Sequence, residues 1–530
     1  MMPPLGALLA LAISGPRAAP DSVPLYTDLG NHHHEVTTKV PRAQQFFDQG
    51  LRLVFGFNHA EAIRAFNEAI RLDPDCAMCY WGKALAYGPH VNAPMDSASG
   101  VAAYAAAQNA LAHLPRASAR ERDYIHAVSK RYAVAPAANR AALDSAYARA
   151  MGDVVRKYPD DLDAATLYAE ALMDLRPWNY WKMPAGEPYP GTPEIVAQLE
   201  RVLQSNPNHP GACHYYIHAV EAVQPEKAIP CAERVAGLMP GDGHMVHMAA
   251  HIYIRVGRYN DAIESNVHAI HTDETYIEDQ HPMGVYPIGY YPHNLHFLSF
   301  AGTMAGRGTM AIDAARKLVS KADLKVARQV PMVQSFVPFL DLTLVTFGRW
   351  DDVLQQPLPP ADLQYASAMT HYSRGVAFAA TAKWPEAAAE LDAVKQAAAA
   401  ATGDSKPVLE IAMHALLGEI AARKGQLDEA ITHFQVAKGI EDGMLYFEPP
   451  TWYYPIRHSL GAVLLRAGRP AEAEQVYRED LKRFPENGWA LFGLLQALRA
   501  QGKTADADQV EQRFRRAWQG ADVTLVASRF

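Results

Sequence analysis

A spacing that recurs along the chain sets its architecture. Gly50 is followed twelve positions on by Ala62, then by Phe66, Ala69 and the proline Pro74. The same offsets return at Gly418, Ala430, Phe434 and Ala437, again at Gly461, Ala473, Tyr477 and Pro485, and more loosely at Gly375, Ala387 and Leu391. A small residue in one helix, Ala-x3-Phe-x2-Ala in the next and a turn proline after it describe two antiparallel helices that interlock where small side chains let their backbones approach. Weaker copies follow the pairs Ala228 and Pro240, Ala262 and Ala269, and Ala311 and Ala315. The last copy, Gly493 with Ala505, runs into a charged segment from Asp506 to Arg516 that suits a solvent-facing cap. No segment alternates with the period of two that a strand requires. The expected fold is all-α, a solenoid of about eight or nine helical hairpins.

Length agrees with this. A single hydrophobic core stops growing at roughly 250 to 300 residues. A chain of 530 residues that is 49% hydrophobic is therefore several domains or an array that extends repeat by repeat. A net charge of −8 with no cluster of Lys and Arg argues against nucleic acid as a partner.

These offsets, with the stretches FNHAEAIRAFNEAIRLDPDCAMCYWGKALAYGPH, HMAAHIYIRVGRYNDAIESN and EPPTWYYPIRHSLGAVLL, resemble bacterial exported tetratricopeptide-repeat proteins over nearly all of residues 30 to 518. The resemblance implies a superhelix whose first helices line a concave binding groove. It implies no reaction, because such scaffolds host many roles.

The start of the chain reads as a secretory signal. Leu5 to Ile13 is an apolar run too short to span a bilayer, followed by Ser14, Gly15, Pro16 and the small pair Ala18 and Ala19. It lacks a preceding Lys or Arg and a clean cleavage site. Residues 1–20 are thus expected to be removed on export to the periplasm or medium, and no later stretch is apolar enough to cross a membrane. The mature chain is expected to divide into an array over 21–320 and a second over 321–530. The irregular stretch Ala322 to Pro360 would join them.

Three aromatic, Pro-rich insertions interrupt the array: Arg176 to Thr192, Thr275 to Pro292 and Glu441 to Tyr454. They are either lids over a site or loops packed on the array.

Half of the 22 histidines fall between His209 and His296. Counted from the turn prolines, Pro207 is followed at the seventh and eleventh positions by His214 and His218, and Pro240 at the fourth, seventh and eleventh by His244, His247 and His251. His293 and His296 precede Ala311 as His244 and His247 precede Ala262. Spacings of three, four and seven share one helical face, so three successive first helices present a stripe of imidazoles. A His-x3-His pair on a helix is a ready chelate, completed by a third ligand from the next helix. Seven imidazoles exceed the needs of one ion, so more than one metal, or ligands with supporting partners, is expected. Imidazole ligation without thiolate suits copper, iron, zinc or nickel rather than calcium or magnesium, and copper is favoured over iron or zinc.

One repeat earlier, Pro159 puts Asp163, Thr166 and Glu170 on the equivalent face, which makes Glu170 a candidate carboxylate ligand or base, with Tyr253 or Tyr216 as a relay. Met245 and Met248 point off the stripe, and His268 and His271 lie on an outward second helix. His32, His33, His34, His59 and His90 form a second group near the start, with no spacing that forces it onto the first.

The alternative to a metalloprotein is a non-catalytic scaffold whose groove takes a protein or peptide. No G-x-S-x-G, HExxH, Walker loop or GxGxxG after a strand is present. Cys76 and Cys79, in CAMC at a helix start, suit a local disulfide in an exported chain, and Cys213 and Cys231 fall on the paired helices of one repeat.

Overall fold

The computed structural model describes residues 22–135 and 139–530, so the expected signal segment lies outside the described residues. The chain forms two compact units, one of residues 22–252 and 267–291, the other of 253–266 and 292–530. Each is a stack of helical hairpins, as expected of an all-α solenoid.

In the first unit the pairs begin with Pro41–Phe55 against His59–Leu72 and Ala77–Ala86 against Ser97–Ala112. The repeat offsets explain how they pack. A Cβ on Gly50 would lie 2.6 Å from the ring of Phe66, and one on Gly82, in the next repeat, 2.3 Å from the same ring. One aromatic side chain is thus seated between two first helices, and both glycines make room for it. The second unit repeats the device, with Tyr477 between Gly461 and Gly493 at 2.3 and 2.2 Å.

The boundary expected at residue 320 falls inside the second unit. The stretch from 322 to 360 forms short helices, among them Phe339–Thr346, which packs on Gly308–Lys321 and on Gln364–Ala380. Its irregularity belongs to a packed core and not to a linker. The first insertion carries a two-residue antiparallel pair, Trp181–Lys182 with Glu187–Pro188. Cys76 and Cys79 are joined in a disulfide. Among the described residues, no helix is long and apolar enough to cross a membrane.

Candidate metal centre

The helix Pro210–Val220 starts on His209, whose Nδ1 accepts from Ala212 N–H at 3.2 Å, with Pro210 in the first turn. Gly211 then brings the backbone close to Pro41–Phe55, since a Cβ there would stand 2.5 Å from the Phe55 ring. That approach lets the Phe55 carbonyl accept from His214 Nδ1. One turn on, His218 Nδ1 meets Glu221 Oε1 at 3.1 Å. The helix Gly243–Arg255 follows Asp242, whose Oδ1 accepts from Met245 N–H, and it carries His244, His247 and His251. His251 Nδ1 reaches the other oxygen of Glu221, Oε2, at 2.7 Å.

A carbonyl and an ionised carboxylate only accept, so His214, His218 and His251 carry their protons on Nδ1. Each then presents a lone pair at Nε2, and the Nε2 atoms converge. His214 Nε2 is 3.2 Å from His244 Nε2, and His247 Nε2 is 2.9 Å from His251 Nε2. His218 Nε2 is buried with no hydrogen-bond partner. His214, His218 and His244 each offer a ligand atom within 4.8 Å of the others, as do His218, Glu221 and His251. All five histidines are 3% exposed or less. Burial first, and neighbouring imidazoles second, hold His214, His218 and His244 well below the usual histidine range. They are neutral, the form that binds metals.

Aromatic rings close over this cluster. Phe57, at φ 58°, places its ring 4.4 Å from His214 and 5.7 Å from His244. Trp178, at φ 64°, sets its ring 5.0 Å from His218 and donates Nε1–H to Asn92. Tyr290 lies 4.5 Å from His244. Left-handed backbone at two non-glycine aromatics costs roughly 1 to 3 kcal/mol each and persists only where surrounding structure imposes it. Of the three insertions, the first reaches the cluster through Trp178 and the second through Tyr290. The third belongs to the second unit.

His59 and His90 sit behind Phe57, their rings 4.4 Å apart and His90 stacked 4.3 Å from Phe57. Burial, then the Arg131 charge, pushes His59 down to about 4.

A second group surrounds Asp163. His32 Nε2 and His209 Nε2 approach its Oδ1 at 2.9 and 3.1 Å, and His34 Nδ1 its Oδ2 at 2.7 Å. Burial alone would raise this carboxyl, but hydrogen bonds from His209, His32 and His34 hold it well below its usual range. His209 already accepts through Nδ1, so its proton is on Nε2 and is given to Asp163. This group is a satisfied carboxylate with donors around it, in contrast to the imidazole–imidazole contacts of the first. His33 pairs with Asp48 at 2.7 Å.

Glu170 does not serve the imidazoles as a ligand: its partners are Arg131 and Asp174. Tyr253 belongs to the second unit, where Arg258 lies over its ring, and Tyr216 donates to Glu200 at 2.8 Å. His293 and His296 also belong to the second unit. His293 packs 4.8 Å from Phe297, and burial against Phe339 pushes His296 down to about 3. Met245 and Met248 are fully buried, and His268 and His271 are exposed. Cys213 and Cys231 are free thiols.

Glu221, the carboxylate in the cluster, was not among the sequence candidates. Its signal was there: it is three residues beyond His218, on the face that bears His214 and His218.

Residues 47–87 and 459–522 match the family described as tetratricopeptide repeat. No curated protein matches the chain. Among solved structures the chain is similar to the human IFIT1 dimer with m7Gppp-AAAA, at 13% identity over 91% of this chain and 91% of that chain, TM-score 0.35. It is also similar to yeast Tom70, at 12% identity over 92% and 96%, TM-score 0.25. A third is Naa15/Naa10 bound to HypK-THB, at 14% identity over 90% and 71%, TM-score 0.22. Tetratricopeptide repeats thus lie in both units of this chain.

Proposed function

We propose that the first unit binds transition-metal ions on His214, His218, His244, His247 and His251, with Glu221 as their common support. The observation that carries this reading is the pair of Nε2–Nε2 contacts, 3.2 Å between His214 and His244 and 2.9 Å between His247 and His251, while three of the Nδ1 atoms are committed elsewhere. Two imidazole nitrogens this close need a proton or a cation between them, and the Nε2 lone pairs of His214 and His251 can bind either. Tying the far nitrogen of a ligand histidine to a carbonyl or carboxylate is how proteins fix its tautomer for a metal. Copper is the first choice, since neutral imidazoles suit it and it heads the affinity order for such sites. Bound copper would supply one-electron redox chemistry, and an oxidoreductase acting on dioxygen or a small reductant is the activity we assign. Phe57, Trp178 and Tyr290 would keep bulk water from the ligands.

Export is part of the same proposal, supported by the apolar run Leu5 to Ile13 and by the Cys76–Cys79 disulfide. A protein or peptide partner is a second reading, favoured by the tetratricopeptide matches. It leaves the imidazoles aside, because side chains 3% exposed or less offer no surface to a peptide.

Elemental analysis of untagged protein, beside His214→Ala and His244→Ala variants checked for fold by circular dichroism, tests the metal reading. Stoichiometric copper, iron or zinc that is lost in folded variants supports it. Protein that stays metal-free after reconstitution with each ion overturns it.

A further inference from the structure

Glu170 and Asp174 lie one turn apart at the end of the helix Leu162–Met173, and one cation serves both. Arg131 Nη2 is 3.9 Å from Glu170 Oε1, donates to Asp174 Oδ2, and also donates to the Pro89 carbonyl at 2.8 Å. The three side chains are 6% exposed or less. If both acids were ionised, one buried negative charge would be left over, which a low-dielectric interior disfavours.

The surroundings do not offset that charge. Asp144 adds another negative group and takes Arg140 for itself at 2.8 Å. Tyr132, Tyr147, Tyr180 and Tyr215 are neutral phenols, each held above the usual range by burial. Glu170 Oε2 and Asp174 Oδ1 receive no N–H or O–H donor. A proton on either carboxyl would remove the surplus charge and give one of these buried oxygens a donor to share. Burial, and then the Glu170 charge, lifts Asp174 well above the carboxylate range, and burial also raises Glu170.

The pair lies within electrostatic reach of the histidine cluster. Arg131, which holds Asp174, also donates to the Pro89 carbonyl beside His90, the His90 ring stacks 4.3 Å from Phe57, and Phe57 lies 4.4 Å from His214. A divalent ion on neutral imidazoles brings two positive charges into a buried site, and Glu221 supplies one negative.

We propose that Glu170 and Asp174 share one proton in the metal-free protein and release it to solvent when a divalent ion occupies the histidine cluster, thereby furnishing the second compensating charge. The balance is one metal ion in and one proton out. This inference rests on the metal reading above. Its residues are distinct from the ligands, so the two can fail separately.

Zinc, which has no redox chemistry of its own, is the probe. Calorimetric titration in two buffers of different ionisation heat reads the protons released per ion. With imidazoles already neutral, the wild type should release about one proton near pH 7. Glu170→Gln and Asp174→Asn, both near-isosteric, should each bind zinc and release close to none. An infrared difference spectrum between metal-free wild type and Asp174→Asn should show a carboxylic-acid band lost in the variant. Zinc binding with an unchanged proton count in both variants overturns the coupling, as does a count abolished instead by Asp242→Asn. Absence of zinc binding overturns the metal reading and the coupling together, and the infrared band then decides by itself whether the pair shares a proton.

Discussion

The Nε2 atoms of His247 and His251, one helical turn apart, lie 2.9 Å from each other. His251 gives its Nδ1 proton to Glu221, so its Nε2 presents a lone pair to His247. Glu221 holds His218 in the same tautomer through its other oxygen, and one carboxylate therefore orients ligands from two helices. Glu221→Gln keeps the shape and removes the charge. Its amide nitrogen would face an imidazole N–H in place of an oxygen, which favours the wrong tautomer in one ring. Zinc and copper affinity, measured by competition with a chelator, should fall about 10- to 100-fold. An affinity equal to wild type would mean that the carboxylate does not set the tautomers.

Gly211 converts repeat packing into site geometry. An added methyl would stand 2.5 Å from the Phe55 ring, and the Phe55 carbonyl is the partner of His214 Nδ1. Gly211→Ala should therefore cost about 1 to 3 kcal/mol of stability by overpacking and also weaken metal binding by displacing His214. A methyl on Gly237 would meet nothing within 4 Å, so Gly237→Ala is the control and should stabilise its helix by up to about 1 kcal/mol. Urea midpoints of the two variants should move in opposite directions. Equal shifts would refute the close-approach argument.

Much of this was legible in the sequence, and the reasons for the rest are specific. The offset from Gly50 to Phe66 encodes a contact inside one hairpin, and periodicity captures such contacts. The stripe His244, His247 and His251 is legible for the same reason, since one helix fixes its face. What spacing could not supply is long-range. His34 meets Asp163 across 129 positions, and no local pattern records that partner. The left-handed Phe57 and Trp178 are equally silent, because an aromatic residue carries no preference for that conformation and adopts it only under tertiary constraint. The reading of an open groove also missed burial: rings from two insertions and from Phe57 cover imidazoles that periodicity assigned to a concave surface.

Acid should destabilise the metal-free first unit. His59, pushed down to about 4, and His90, His209, His214, His218 and His244 are all lowered by burial in the fold and return to about 6.5 on unfolding. The unfolded chain then binds more protons below that value, so the stability present above pH 6.5 is lost as pH falls, by about 1.4 kcal/mol per pH unit for each group. Asp163, held low, adds to the loss at still lower pH. His34, raised, Asp242, pushed up to about 7, and the raised pair Glu170 and Asp174 act in the opposite direction and are outnumbered by the six lowered imidazoles. With a chelator present, the urea midpoint of this unit should be lower at pH 5 than at pH 7. An equal or higher midpoint at pH 5 would show that the imidazoles are not buried in the neutral form.

Trp178 offers an optical report on the cluster. Its ring stands 5.0 Å from His218, while its Nε1–H is anchored on Asn92. A copper(II) ion held by His218 would lie close to the indole and quench its emission on contact, whereas zinc, with a filled d shell, would leave most of the intensity in place. Titration with copper should therefore reduce the emission with a sharp end point at the binding stoichiometry. The other seven tryptophans respond less if the ion is confined to the cluster. Trp178→Phe keeps an aromatic cover over His218 and should remove most of the quenching amplitude without changing the end point. Trp181, whose Nε1–H donates to the Ala219 carbonyl beside His218, is replaced in a second variant, and if the amplitude survives in Trp178→Phe/Trp181→Phe, copper is bound near a different tryptophan and the placement of the ion at His218 is wrong.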